Sequence, residues 1–351
     1  MTGHPGALER AVPLLRCPQC TEPVEAHTNT PSPGVAGPRG ARDPGAGITG
    51  IRCAAGHSFD RARHGYLTLF GPRGRRFPGD TTDQILARER VQGCGVFDTV
   101  AAVLTGIARE QFVGTVRPVG TPADSRLAGP GGSRVDSPTA GPAGSRTVGS
   151  GPVVLDVGAG TGFYLRRVLD GVRAVGGPGR AVGAQSPLGI GTELSVAAAR
   201  RLAKTDPDAV ALVTDTWDAL PLADESVDLV QVVFAPRNVS EFARILRPGG
   251  ILVVAGPGPG HLEPLRSDVG MLTAEPDKAD RLESGLAGSF TPGRAHVVDE
   301  SVRVSGAVAT DLALMGPSGV HLDRGDLERS LGSADREIRV HVEVRTFRPA
   351  R

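Results

Sequence analysis

An apolar strand that runs directly into a glycine turn and an amphipathic helix constrains this chain more than any other stretch of it. Residues 153–169 read VVLDVGAGTGFYLRRVL. Val153, Val154, Leu155 and Val157 form a short, β-branched apolar run of the kind a parallel strand needs when both its faces are covered. Gly158, Gly160 and Gly162 then let the backbone turn sharply and approach a ligand with no Cβ in the way. A helix beginning near Phe163 points its first amides into the same space. Together these features predict a nucleotide-cofactor site at the end of a buried strand. A glycine motif alone is a weak signal, so another dinucleotide-binding fold or a degenerate site is the competing reading.

The pattern repeats downstream. Apolar spacing predicts helices over 163–172, 196–203 and 239–246, and strands over 153–157, 190–194, 210–214, 227–234 and 251–255. Alternation of this kind implies an α/β fold with a mostly parallel sheet covered on both faces. Near the end, Ile338, Val340, Val342 and Val344 alternate with polar residues, which predicts a half-exposed strand closing an antiparallel edge.

A chain of 351 residues, 39% hydrophobic, has room for one large domain and a smaller one. Three segments lack apolar periodicity: 27–49, 115–151 with its imperfect AGPGGSR and AGPAGSR repeat, and 176–189, which interrupts the approach to the second strand. They divide the chain into a small module at 14–70 with an unstructured insertion at 27–49, connecting helices at 80–113, a linker at 114–151 and a cofactor domain at 152–349. Ile85, Val91, Val100, Val103, Leu104 and Ile107 carry the two connecting helices. Net charge is only +1, so the whole molecule does not advertise a polyanionic partner. Local charge differs: between residues 51 and 76 stand Arg52, Arg61, Arg63, Arg73, Arg75 and Arg76 against a single acid, Asp60. Such an excess suits a phosphate backbone, with a solvated basic face as the alternative. No apolar run approaches the roughly 18–20 residues that span a bilayer, and the first residues lack the succession of a signal peptide. The expectation is a cytoplasmic protein with no membrane partner, whose cysteines are ligands or buried thiols rather than disulfides.

Cys17 and Cys20 form C-x2-C, and Cys53 and His57 form C-x3-H, a donor set suited to one tetrahedral zinc ion. The long gap between the pairs contains the 27–49 insertion, and loop length adds only logarithmically to closure cost. A redox C-x-x-C and incidental buried thiols are the alternatives. Cys94 has no second cysteine or histidine at ligand spacing and reads as a small core residue.

The strand–turn sequence takes the form D-x-G-x-G-x-G from Asp156 to Gly162, which resembles the first motif of class I S-adenosylmethionine-dependent methyltransferases. That resemblance implies a Rossmann-like domain in which an acid ending the second strand accepts from the ribose hydroxyls, and Glu193 is the candidate. Asp215 and Trp217 follow the third strand, where such enzymes hold the adenine; Trp217 reads equally as a core aromatic. Phe234 and Pro236 end the fourth strand and can form a flat slot for a planar base taken out of its stack.

Further motifs make the resemblance more specific. The Cys17, Cys20, Cys53, His57 set, HSFDRARHGYLTL from His57, PGD from Pro78, LDVGAGTGFYL, FAPRNVSEFARILRPGG, PGPGHLEPL from Pro257 and LMGPSG from Leu314 together resemble the 23S ribosomal RNA guanine-N1 methyltransferases. That family modifies a hairpin loop in domain II and includes macrolide-resistance members. The resemblance implies 23S ribosomal RNA as partner and S-adenosylmethionine as cofactor, contacted by Phe97, Gly160, Thr161 and His261, with Phe97 standing where tyrosine is common. It implies that a flipped guanine stacks on Phe234 while Arg61, Arg63, Arg73, Arg75 and Arg76 anchor phosphates, and it leaves a homodimer open as the assembly. Of the two nearby guanines that the family modifies, the resistance-type position is favoured, because an Arg-rich chain with Lys only at 204 and 278 suggests a high-GC genome. Guanine N1 must lose a proton, so a carboxylate, histidine or water route is expected near residues 234–237. A small-molecule methyltransferase with a structural zinc module, and a catalytically silent RNA-binding protein, are the rival functions.

Overall fold

The computed structural model describes residues 6–28, 47–113, 151–175, 186–271 and 283–350. Most of the expected 27–49 insertion, the linker at 114–151 except Gly151, and residues 176–185 of the third aperiodic segment lie outside the described residues. Strands β1 (Val24–His27), β2 (Gly50–Cys53) and β3 (Ser58–Asp60) make a small antiparallel sheet. The rest of the chain is organised by one eight-stranded sheet. Its strands are β4 (Leu67–Thr68), β5 (Val153–Val157), β6 (Leu188–Glu193), β7 (Ala209–Val213), β8 (Val227–Val233), β9 (Leu246–Pro257), β10 (Phe290–Val304) and β11 (Arg336–Pro349). They lie in the order β10-β11-β9-β8-β5-β6-β7-β4. All neighbours from β9 to β4 are parallel, while β11 is antiparallel to both β9 and β10.

The parallel strands form where the sequence supplies runs apolar on both faces. Every residue of β5 is buried; Val154 packs into one core layer and Val153, Leu155 and Val157 into the other, as the two-residue period of a strand requires. Helix α4 (Phe163–Val175) buries Tyr164, Leu165, Val168, Leu169 and Val172, the i, i+3, i+4 stripe of an amphipathic helix, against one side of the sheet. Strand β6 starts at Leu188 and helix α5 (Val196–Leu202) follows it, so Leu188 and Gly189 belong to the strand rather than to the interruption expected over 176–189. Helix α2 (Thr82–Gly93) is opened by a capping box: Gln84 N donates to Thr81 Oγ1 at 3.3 Å and Thr81 N to Gln84 Oε1 at 3.0 Å. It leads into α3 (Asp98–Val113), which buries Val100, Leu104, Ile107 and Phe112. Cys94 closes α2 through its backbone and leaves its side chain exposed, which corrects the expectation of a core thiol. Among the described residues no single helix is long and apolar enough to cross a membrane.

The N-terminal segment shares its core with the large sheet. Leu8, Leu15, Cys17, Ile51 and Leu67 lie in the same buried cluster as Leu155, Ile190, Leu212 and Phe242. Strand β4 is only two residues long, but Leu67 and Leu69 are fully buried, and burying such a side chain contributes about 1.5–3 kcal/mol. Burial therefore outweighs the short ladder in holding β4 on β7, where Leu69 N donates to Val213 O at 2.8 Å. Arg10 adds a partly buried ion pair to Asp208 at 2.5 Å.

Candidate functional site

The carboxyl ends of β5, β6 and β8 meet at one edge of the sheet, and the glycine turn lies there. Gly158, Gly160 and Gly162 have φ of +68°, +56° and +86°. At Gly158 the requirement is also spatial, because a Cβ would stand 2.5 Å from Ala235 Cβ. Above Gly160 a Cβ would meet only the side chain of Arg88, with Nη1 3.4 Å away. Glu193 ends β6, where one oxygen accepts from Gly160 N at 2.8 Å and the other from Leu194 N and Ser195 N, each at 2.8 Å. Burial raises its pKa against those bonds. Asp156, fully buried at the end of β5, is pushed up to about 7 by desolvation; Gln231 opposes the shift and Glu193 adds to it. Its Oδ2 has no hydrogen-bond partner among the described residues. An orphaned carboxylate oxygen and a second buried carboxylate beside a glycine cradle fit a cofactor that brings hydroxyl donors and a cationic amino-acid end.

Helix α2 covers this turn from the N-terminal side. Arg88 Nη2 donates to Asp80 Oδ2 at 2.5 Å and to Met315 O at 3.0 Å, so the guanidinium over Gly160 is held by one partner near in sequence and one far away. Thr161 Oγ1 donates to Gln92 Oε1 at 3.2 Å on the same helix. Arg88 was not among the residues expected here, although its position on the helix after Pro78, Gly79 and Asp80 was a signal that this segment approaches the site.

Beside the turn stand three rings. Phe97 is buried at the start of α3, Phe234 follows β8 and His261 follows β9. Phe234 and His261 are stacked at 5.8 Å with 25° between planes, and Phe97 meets Phe234 edge-on at 5.9 Å and His261 at 6.2 Å. His261 Nδ1 accepts from His341 N at 3.2 Å, which fixes the ring against β11. Phe234 has φ of +54°, a conformation costly for a residue with a Cβ, and the residue is 41% exposed. Phe234 is thus a strained, exposed aromatic beside a buried polar turn, and exposed Pro236 follows it.

Both Asp215 oxygens are occupied, Oδ1 by Trp217 N at 2.9 Å and Oδ2 by Arg76 Nη2 at 3.1 Å. Asp218 pairs with Arg73 at 2.7 Å and Arg76 at 3.3 Å. Trp217 is 55% exposed, which removes the core reading of that aromatic. Strand β4 runs parallel to β7, so residues after it stand at the carboxyl edge of the sheet and residues before it at the opposite edge. Arg73, Arg75 and Arg76 are thus near the site; Arg75 Nε donates to Phe77 O at 2.8 Å. Arg61 and Arg63 precede β4, and Arg61 lines a cavity with Ala203, Asp206 and Ala209 at the far edge, so the five arginines expected to anchor phosphates fall into two groups on either side of β4.

Cys17, Cys20, Cys53 and His57 converge, with their ligand atoms all within 4.8 Å of one another. Cys20 Sγ is 3.7 Å from Cys53 Sγ, and His57 Nδ1 is 3.6 Å from Cys17 Sγ and 3.4 Å from Cys53 Sγ. A tetrahedron with Zn–S near 2.3 Å and Zn–N near 2.0 Å has edges of about 3.5–3.8 Å, so this donor set fits zinc. Two tight turns make it. Thr21 at φ +63° returns its N–H to Cys17 O at 2.8 Å, and Gly56 at φ +89° returns its own to Cys53 O at 3.0 Å.

A family model described as a methyltransferase domain matches residues 155–254, the glycine turn through β9. A protein of Micromonospora griseorubida named for 23S rRNA (guanine-N(1)-)-methyltransferase activity is 34% identical over 98% of both chains. The 23S rRNA (guanine(748)-N(1))-methyltransferase of Streptomyces fradiae is 30% identical over 97% of this chain and 99% of its own. A Bacillus subtilis protein named for the same guanine-N1 activity is 23% identical over 81% of this chain and 77% of its own. On this near-full-length similarity, and on a fold whose glycine turn fits S-adenosylmethionine, the chain belongs to the family of 23S rRNA (guanine-N1)-methyltransferases.

Proposed function

We propose that this protein methylates N1 of a guanine in the domain II hairpin loop of 23S ribosomal RNA, at the position equivalent to the guanine 748 of the Streptomyces fradiae relative's name. The reading is carried by similarity to that relative over 97% of this chain, and the group of rings and the Cys3His cluster support it. When bound, S-adenosylmethionine supplies an electrophilic methyl on a sulfonium centre. Asp156, Gly158, Gly160, Thr161, Gly162 and Glu193, with Phe97, His261 and the Asp215 loop, would hold it. Arg88 stands as the cation facing the cofactor's carboxylate. Phe234 and Pro236 hold the flipped base by stacking and exclude water from one face, so positioning supplies most of the acceleration. One zinc ion on Cys17, Cys20, Cys53 and His57 keeps the basic module folded against the sheet, and Arg73, Arg75 and Arg76 meet the phosphates around the loop.

Primer extension and mass spectrometry on 23S RNA from cells with and without the protein test this. A methyl on N1 blocks the Watson–Crick edge, so reverse transcriptase should arrest at one loop guanine only when the protein is present. A purified protein that methylates small metabolites and produces no arrest on naked RNA or assembled subunits would transfer the reading to a small-molecule enzyme. The family's macrolide-resistance members make drug susceptibility of expressing cells a second readout.

A further inference from the structure

Arg237, three residues beyond Phe234, makes no hydrogen bond and no ion pair to any described residue, and its Nε is buried without a partner. Nearby arginines are treated differently: Arg244 is held by Glu241 and Asp224, and Arg247 by Asp228. Burial lowers the pKa of Arg237, and no carboxylate among the described residues offsets it. Its Nη2 lies 3.5 Å from where a Cβ on Gly256 would stand, so the guanidinium rests on the carboxyl end of β9. Phe234 N donates to Ala255 O at 3.0 Å, one residue earlier on that strand, which puts the stacking ring and the unpaired cation on the same sheet edge. A part-buried guanidinium with nothing to pair with is costly, and the fork of donors it presents matches two adjacent acceptors on one planar group.

On the reading of the substrate as guanine, we propose that Arg237 binds the O6/N7 edge of the target base and stabilises the charge that gathers on O6 during methylation. O6 and N7 are the two acceptors that arginine engages as a fork, whereas adenine offers a donor at N6 in place of O6. N1 lies on the other side of O6 and stays open to the methyl donor. In the step itself the N1–methyl bond forms, the methyl–sulfur bond breaks with its electron pair passing to sulfur, and the N1 proton passes to solvent. Arg237 remains protonated throughout and gives up no proton. Its contribution grows as the N1–H pair moves into the ring and O6 becomes more negative, so it favours the transition state over the ground state.

The test uses the full purified chain with a synthetic hairpin carrying guanosine or 7-deazaguanosine at the target position. Arg237→Gln should lower kcat/KM on the order of 10- to 100-fold. The loss should fall mainly in kcat, calorimetric affinity for S-adenosylmethionine should be unchanged, and the rising limb of the pH–rate profile should move to higher pH. Replacing N7 by CH should slow the wild type about tenfold and leave Arg237→Gln indifferent. Arg237→Lys keeps the charge without the fork and should recover part of the rate without sensitivity to N7; it also serves if Arg237→Gln melts early. A variant with wild-type kcat and pH profile, or an N7 penalty of equal size in wild type and both variants, overturns the role of Arg237. Failure of the wild type to methylate any RNA would instead remove the RNA reading, and this inference with it.

Discussion

Asp156 shows how a single residue can make a site and strain the fold that carries it. Its carboxylate is buried without a partner for Oδ2, and desolvation moves its pKa from 3.8 to about 7. The unfolded chain ionises near 3.8 and the folded chain near 7, so the group's contribution to stability is complete below the lower value and is lost as pH rises through the higher one. The amount is on the order of 4 kcal/mol in the absence of cofactor. In Asp156→Asn this dependence should vanish: the stability of the wild type minus that of the variant should fall by about that much between pH 4 and pH 8 in denaturant titrations. A difference that stays constant across that range would mean Asp156 is not buried as a lone carboxylate. Glu193 was legible at this scale because the family motif fixes an acid at the end of the second strand. Arg88 and Arg237 were not, because their significance lies in what stands opposite them, Gly160 in one case and no acid in the other.

At the scale of elements, periodicity was informative where burial is two-sided or cleanly striped. Strand β5 and the start of α4 fall where VVLDV and FYLRRVL place them. Strand β10 escaped notice because it pairs only with β11, carries Pro292 and Gly293 at a bulge and exposes most of its residues, as an edge strand does. The two knuckles were legible from spacing alone, since a tetrahedral ion demands four donors on two short turns. Cys17→Ser removes one donor and leaves an incomplete site, so metal analysis should find under about half an equivalent of zinc where the wild type holds one. Because Cys17 is buried in the core shared with the large sheet, the same variant should also melt at lower temperature. Undiminished zinc in the variant would show that the ion sits elsewhere.

At the scale of the molecule, the N-terminal segment and the cofactor domain share one sheet and one core. Strand β4 extends the parallel sheet, Leu15 bridges to Leu222, and Arg76 reaches across to Asp215. Calorimetric melting of the zinc-loaded protein should therefore give a single transition, and chelation should lower its midpoint and weaken S-adenosylmethionine binding together. Two separated peaks, with cofactor protecting only one, would mean that the interface is too weak to couple the parts. The pairing also gives Arg73 and Arg76 a second task, because they neutralise Asp215 and Asp218 before any phosphate arrives. Their replacement should disturb the loop that carries Trp217 as well as any RNA contact.

Sequence was enough for the strand–turn–helix at the glycine turn, the parallel sheet, the four candidate zinc donors and the family, because each rests on residues close along the chain or on fixed spacings. Tertiary structure alone decided which arginines face the site, since a parallel β4 sends Arg61 and Arg63 to one sheet edge and Arg73, Arg75 and Arg76 to the other. It also decided that Phe97, Phe234 and His261 form one group of rings, and that Arg237 has no counter-charge among the described residues. Periodicity reports which face of an element is buried; it carries no information about which distant charge or ring the fold sets opposite it.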